Sequence, residues 1–280
     1  MKLTRLDFEK MKKSGVPVAW ITAYDYHTAR FAERAGLEML LVGDSLGMCV
    51  YGYEGTIPVT MDQCLLHSEA VRRGAPDTFV VGDMPFLSYQ VSVPDAVANA
   101  GRFFKEARVD AVKLEGGRRV LPQIRAITEA GMLLMGHIGL TPQSSGQLGG
   151  FKAQGRTAEA AVDLIEDALA VEEAGAFALV LEGVPSEVCG LIRERLRIPV
   201  YGVGAGLPAD GQLMTSADLL GLFKMFTPKF VKAYADLGGD MERAFKAYAA
   251  DVKAGTFPGP EHCYAMLDGE WDKLRKLIAD

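Results

Sequence analysis

Several strand-length apolar segments each deliver a side chain with chemistry at or just beyond their end. Leu41-Val42 runs into Gly43-Asp44-Ser45, and Val80-Val81 into Gly82-Asp83. Ala111-Val112-Lys113-Leu114 ends at Glu115, Leu133-Leu134-Met135 at Gly136-His137, and Leu179-Val180-Leu181 at Glu182. Carboxylates gathered at one place repel one another and call for a cation or a shared proton. A hard divalent cation with oxygen ligands answers that need, and Mg²⁺ suits it because it keeps waters and takes few protein carboxylates. Cysteine is absent from these segment ends and His137 is the lone histidine there, which disfavours zinc. A single acid at a strand end ordinarily caps the next helix. Asp44, Asp83, Glu115 and Glu182 in succession, with a lysine among them, point instead to a reaction centre.

Lys113 lies two residues before Glu115 on the same segment, so both side chains share one face of a strand. A buried ammonium needs an anionic partner. Either the neighbouring carboxylates or the carboxylate of a substrate would serve, and a Schiff-base role ranks below both. His137 reads equally as a hydrogen-bonding support behind a ligand or as a catalytic group. His67, within an apolar helical stretch, reads as structural. Gly202-Val203-Gly204-Ala205-Gly206 lacks the immediate helix and later acid of a dinucleotide fingerprint; it reads as a tight turn or as a place where backbone approaches a ligand. The long segment from Thr141 to Arg156, rich in Gly, Ser and Gln, has the length of a lid or a subunit contact.

The elements that position these residues alternate. Apolar runs at Val18–Thr22, Met39–Val42, Thr78–Val81, Ala111–Leu114, Leu133–Met135, Phe177–Leu181 and Pro199–Val203 are separated by amphipathic stretches such as Asp95–Ala107 and Thr157–Ala174. In the latter, Ala161, Leu164, Ile165, Ala168, Leu169 and Val171 are expected on one helical face. Near-continuous apolar strands followed by helices imply a parallel sheet covered on both sides. An eighth strand is offered by Gln212-Leu213-Met214 or by the run Leu219–Phe223. The count favours a (β/α)₈ barrel in one domain, 1–280, over an open doubly wound sheet. Residues 225–280 are read as a C-terminal helical extension, packed outside the barrel or against a neighbouring subunit.

Composition sets the outer bounds. The chain has 280 residues, 49% apolar and 24% charged, as an ordinary globular domain does. With 30 Lys+Arg against 36 Asp+Glu it carries a formal charge of −6, which favours neither nucleic acid nor an anionic membrane as partner. No run reaches the length of a membrane span, and the charged start has no apolar secretory core. Its 4 cysteines are scattered, so reduced thiols and a cytoplasmic location are expected.

Longer motifs recur in order: Gly43-Asp44-Ser45-Leu46-Gly47-Met48, Asp83-Met84-Pro85-Phe86, Lys113-Leu114-Glu115-Gly116-Gly117 and Gly136-His137-Ile138-Gly139-Leu140-Thr141-Pro142-Gln143. Leu181-Glu182-Gly183-Val184-Pro185, Gly202-Val203-Gly204-Ala205-Gly206 and Asp210-Gly211-Gln212 follow. From about Thr4 to His262 the sequence resembles the 3-methyl-2-oxobutanoate hydroxymethyltransferase (ketopantoate hydroxymethyltransferase) family. The resemblance implies a TIM barrel of the phosphoenolpyruvate/pyruvate type, Mg²⁺, a 2-oxoacid substrate, and 5,10-methylenetetrahydrofolate as co-substrate. It also implies a homo-oligomer, typically a decamer. By motif match, Asp44, Asp83 and Glu115 correspond to the metal group, Glu182 to the base, and Asp44, Ser45, Asp83 and Lys113 to the oxoacid-binding set. Ser144-Ser145-Gly146-Gln147-Leu148 is smaller and more polar than the family pattern. The rivals are another Mg²⁺-dependent 2-oxoacid lyase or mutase barrel and a non-catalytic binding or assembly barrel.

Overall fold

The computed structural model describes residues 2–279. Eight strands pair in parallel and in chain order, and the last closes on the first. They are β1 (Val18–Thr22), β2 (Met39–Val42), β3 (Phe79–Asp83), β4 (Ala111–Glu115), β5 (Leu134–Gly139), β6 (Ala178–Glu182), β7 (Val200–Val203) and β8 (Gly211–Met214). The closed (β/α)₈ barrel is the expected fold, and the open sheet is excluded. Of the two candidates for the eighth strand, the segment ending at Met214 holds the place. The run Leu219–Phe223 instead follows a short helix, Ser216–Leu219, into a loop. Closure at the β1–β8 seam depends on Gly211: a Cβ there would stand 2.3 Å from the carbonyl oxygen of Val18.

Alternation along the strands sorts the side chains. Trp20, Met39, Leu41, Phe79, Val81, Met135 and Tyr201 fill the barrel interior. Leu40, Val80, Val112, Leu114, Leu134 and Leu179 face the surrounding helices. One end of the barrel is plugged. The helix Arg5–Ser14, started by a Thr4–Asp7 capping box, drives Phe8 against Phe79 edge-on, with ring centroids 5.1 Å apart. Buried Asp210 locks this plug, accepting from Lys12 Nζ at 2.7 Å, Arg193 Nε at 2.6 Å and the Val200 N–H at 2.9 Å.

The helix Ala158–Glu173 begins at Thr157, whose hydroxyl caps the Ala160 N–H. Ala168 and Val171 are buried, and Ala161, Leu164 and Ile165 pack beside them. Leu169 departs from the expected face: it is 42% exposed, because one residue after Ala168 the helix has turned by roughly 100°. The stretch Asp95–Ala107 is helical as Val93–Arg102, then widens into an i→i+5 turn over Phe103–Ala107 that buries Phe103.

Beyond the barrel, the helices Leu237–Ala254 and Glu270–Leu277 bury no residue against it. Met241, Phe245, Tyr248 and Val252 form an exposed stripe at helical spacing on the first of them. Among the described residues no helix is long and apolar enough to cross a membrane, and all four cysteines are free thiols.

Candidate active site

The alternation that puts Phe79 and Val81 inside the barrel also puts Asp83 inside, one pleat further on. It does the same for Ala111, Lys113 and Glu115, for Met135 and His137, and for Val180 and Glu182. Strand pairing sets Asp83 beside Lys113 and Glu115 beside His137. Asp44 arrives one residue past Gly43, where β2 has ended. The C-terminal end of the barrel therefore carries a polar layer on an apolar one, where barrel enzymes hold their sites. It opens into a cavity of about 1020 Å³ lined by Asp44, Ser45, Asp83, Lys113, Glu115, His137 and Glu182 among others. Every candidate site residue read from the sequence lies on this one wall.

Asp44, Asp83, Lys113, Glu115 and His137 are each less than 5% exposed. Lys113 Nζ lies 2.6 Å from Asp83 Oδ1 and 3.7 Å from Glu115 Oε1, so the ion-pair reading of this lysine is realised. Burial alone would lower its pKa, but Asp83, Glu115 and Asp44 outweigh it and hold Lys113 above the usual lysine range. Burial and the charges of Asp83 and Glu115 push the Asp44 carboxyl well up; Lys113 and Gln143 only partly offset them. Burial also raises Asp83, against the pull of Lys113. Glu115 goes the other way: burial would raise it, yet His137, Lys113 and the Gln143 N–H together bring it below the ordinary value.

His137 lies between two acids. Nδ1 is 3.4 Å from Glu115 Oε1 and Nε2 is 3.4 Å from Glu182 Oε2. Both are ion-pair distances, and neither nitrogen makes a hydrogen bond of regular geometry among the described residues. The link is therefore electrostatic. Burial and Lys113 lower the imidazole pKa, but the two glutamates outweigh them and raise it to about 9. Glu182 itself reaches the cavity with an 18% exposed side chain. His67 is structural, as expected: it bridges the Tyr24 carbonyl and, at 3.0 Å, the Tyr51 hydroxyl.

Three residues escaped the sequence reading. Gln143 is buried and donates through Nε2 to Asp44 Oδ2 at 2.9 Å and to the Met84 carbonyl at 3.0 Å. Its own N–H donates to Glu115 Oε2 at 3.0 Å. Tyr89 accepts from the Glu115 N–H at 3.1 Å and lies 2.7 Å from Gln143 Oε1. Tyr24 shares a 2.8 Å hydroxyl–hydroxyl hydrogen bond with Ser45. Gln143 sits inside the motif Thr141-Pro142-Gln143, the one signal that could have found it.

As to a metal, no three Asp, Glu, His or Cys side chains among the described residues are gathered as a ready cage. Both oxygens of Glu115 are engaged by His137 and Gln143. Asp83 Oδ2 accepts from the Asp44 N–H at 3.1 Å, and Asp44 Oδ1 has no partner among the described residues. A free carboxylate oxygen beside a second carboxylate, all-oxygen donors and a mutual repulsion that Lys113 only partly offsets fit a hard divalent cation that brings its own waters.

Comparison with known proteins places the chain. The sequence profile of the family described as ketopantoate hydroxymethyltransferase matches residues 2–260. A 3-methyl-2-oxobutanoate hydroxymethyltransferase of Alkaliphilus metalliredigens is 63% identical over 279 residues, covering 100% of this chain and 98% of its own. One from Syntrophobacter fumaroxidans is 55% identical, covering 92% and 91%. Among solved structures, 2,3-dimethylmalate lyase, a member of the PEP mutase/isocitrate lyase superfamily, aligns with a TM-score of 0.59 over 100% of this chain and 95% of its own at 14% identity. Phosphonopyruvate hydrolase aligns at 0.62 over 100% and 99% at 12% identity. These distant likenesses carry the fold, and the full-length relatives carry the rest: the chain belongs to the ketopantoate hydroxymethyltransferase family.

Proposed function

We propose that the chain transfers a hydroxymethyl group from 5,10-methylenetetrahydrofolate to 3-methyl-2-oxobutanoate, giving 2-dehydropantoate on the route to pantothenate and coenzyme A. The observation that carries this reading is the buried set Asp44, Asp83, Lys113, Glu115 and His137, with Glu182 beside His137 on the same cavity wall. C3 of the oxoacid lies next to a ketone and loses its proton only when the charge that develops on the keto oxygen is stabilised. Mg²⁺ held by Asp44, Asp83 and Glu115, the last directly or through water, would supply a Lewis acid for that oxygen.

The chain's own residues do the rest. Ser45 and Lys113 bind the substrate carboxylate and fix its plane. Glu182 takes the C3 proton, and the positive His137 behind it holds the carboxylate in place. C3 then forms its new bond to the one-carbon unit of the folate; one water supplies the hydroxyl oxygen and tetrahydrofolate leaves. A homo-oligomer, as a decamer, is part of the same reading, supported by the unpartnered stripe on Leu237–Ala254. The free thiols accord with a cytoplasmic location.

Deuterium exchange at C3 of 3-methyl-2-oxobutanoate, with and without Mg²⁺, tests the first half of the reaction. Tetrahydrofolate and formaldehyde added to the same sample test the second. Mg²⁺-dependent exchange followed by 2-dehydropantoate formation is expected. Turnover of the oxoacid into smaller fragments without folate would replace this reading with a lyase.

A further inference from the structure

The cavity has a floor and a mouth of opposite character. The floor is buried and charged, with Asp44, Asp83, Glu115 and Glu182 set around Lys113 and His137. Part of the mouth is one loop, 220–237, whose ends meet. The Leu237 N–H donates to the Leu220 carbonyl at 3.0 Å, and the Tyr234 N–H to the Leu219 carbonyl at 2.8 Å. Lys224 Nζ closes the same base on Asp236 Oδ1 at 2.7 Å. A loop pinned this way is a compact Ω-type loop, not a slack linker. It turns Phe226, Lys229 and Phe230 toward the cavity, with Phe223 edge-on to Phe226 at 5.2 Å.

Phe230 is seated on backbone. Gly204, just past β7, has φ +63°, and a Cβ there would stand 2.5 Å from the phenyl ring. The glycine is thus the close backbone approach that its motif allowed, and its occupant is an aromatic ring. Phe226 and Phe230 nevertheless remain 46% and 38% exposed, so flat apolar surface is left facing the opening. Arg156 also lines the cavity. Among the described residues, neither Arg156 nor Lys229 has a carboxylate within 4.0 Å.

We infer that this mouth is the folate subsite, with the ring system lying on Phe226 and Phe230 and the glutamate carboxylates reaching Lys229 and Arg156. The inference rests on the hydroxymethyl-transfer reading and adds the place and polarity of the second substrate. Two arguments support it. A cavity of about 1020 Å³ far exceeds a five-carbon oxoacid, so the floor alone cannot account for it. The oxoacid takes the floor and the unpaired cations at the mouth attract an anionic tail, which orients a flat, tailed ligand ring-inward and tail-outward.

The test compares tetrahydrofolate carrying one and three glutamates, titrated calorimetrically into the full-length, Mg²⁺-loaded protein. Wild type should prefer the triglutamate by about five- to tenfold at low salt, and less as salt rises. The Arg156→Ala/Lys229→Ala double variant should lose that preference, and Lys229→Glu should reverse it. Phe230→Ala should weaken both forms alike, by about tenfold. All three side chains are exposed, so these substitutions spare the core. If wild type is indifferent to tail length, or Phe230→Ala binds as wild type does, while wild type still exchanges the C3 proton, the subsite is overturned and the transfer reading stands. If wild type neither exchanges nor transfers, the transfer reading falls and the subsite with it.

Discussion

Gln143 Nε2 donates to Asp44 Oδ2 at 2.9 Å, across a sequence separation of 99 residues. The amide can point in only one direction. Its Nε2 also donates to the Met84 carbonyl at 3.0 Å, which can only accept, while its oxygen faces the Tyr89 hydroxyl at 2.7 Å. A flipped amide would set two acceptors against each other. Gln143→Leu should therefore take the donor from both Asp44 Oδ2 and the Met84 carbonyl, destabilising the fold by about 2–4 kcal/mol. Tyr89→Phe removes only the bond to the amide oxygen and keeps the ring, so it should cost about 1 kcal/mol. Urea unfolding of the two variants checks the ranking; equal stabilities would show that the amide is not locked.

Glu182 and Lys113 should fail in different ways. Glu182→Gln keeps shape and removes proton affinity, so kcat should fall by about 10²- to 10⁴-fold with little change in oxoacid KM. Lys113→Met should act chiefly through weaker oxoacid binding, and it also removes the counter-charge of Asp83. Steady-state kinetics with C3 exchange separates them. Exchange retained in Glu182→Gln would move the base to His137; lost Mg²⁺ binding would make Glu182 a ligand.

The two aspartates offer a trade of stability against metal. Burial and its acidic neighbours already penalise ionised Asp44. Asp44→Asn can still accept from Gln143, so it should raise the melting temperature of the metal-free protein while weakening Mg²⁺ sharply. Asp83→Ala should weaken Mg²⁺ and lower stability as well, by about 3–5 kcal/mol, because it leaves Lys113 buried without its 2.6 Å partner. Calorimetric Mg²⁺ titration and thermal melts of both variants decide it. Unchanged Mg²⁺ affinity in both would remove them from the metal site.

The pH dependence of the metal-free fold should carry the mark of His137. Its pKa rises from 6.5 in a free imidazole to about 9 in the fold. Below 6.5 both folded and unfolded states hold the proton, and the stabilisation from Glu115 and Glu182 is fully present. It drains away as pH climbs through about 9. Melting temperatures across this window should decline in wild type and flatten in His137→Gln. Parallel profiles would show that the imidazole does not gain its proton from these glutamates.

Much of the site was legible because it obeys the period of a strand. Asp83, Lys113, Glu115, His137 and Glu182 occupy the same inward positions as the apolar residues before them, so a pattern of two reveals them. The eighth strand was ambiguous for a physical reason: it is four residues long, with Gln212 exposed in the middle, while Leu219–Phe223 is more apolar yet not extended. Gln143, Tyr89 and Tyr24 were illegible as site residues. They lie outside the strands, and their partners are set by tertiary contact. The free stripe on Leu237–Ala254 was hidden too, since an amphipathic pattern states that a face is apolar and not what covers it.

The apolar side chains that fill the barrel, with Phe8 sealing its far end, make the site a blind well, and a blind well dictates traffic. Whatever reacts at its base must come and go through one opening, shared by both reactants. On the proposed placement, with the small oxoacid below and the bulky folate above, first in becomes last out. Catalysis then runs in compulsory order: the keto acid loads first, spent tetrahydrofolate departs first, and 2-dehydropantoate is the last to leave. Initial-rate patterns should show it, with 2-dehydropantoate competing against 3-methyl-2-oxobutanoate and not against the folate. The packed interior beneath the site would thus set the sequence of events above it.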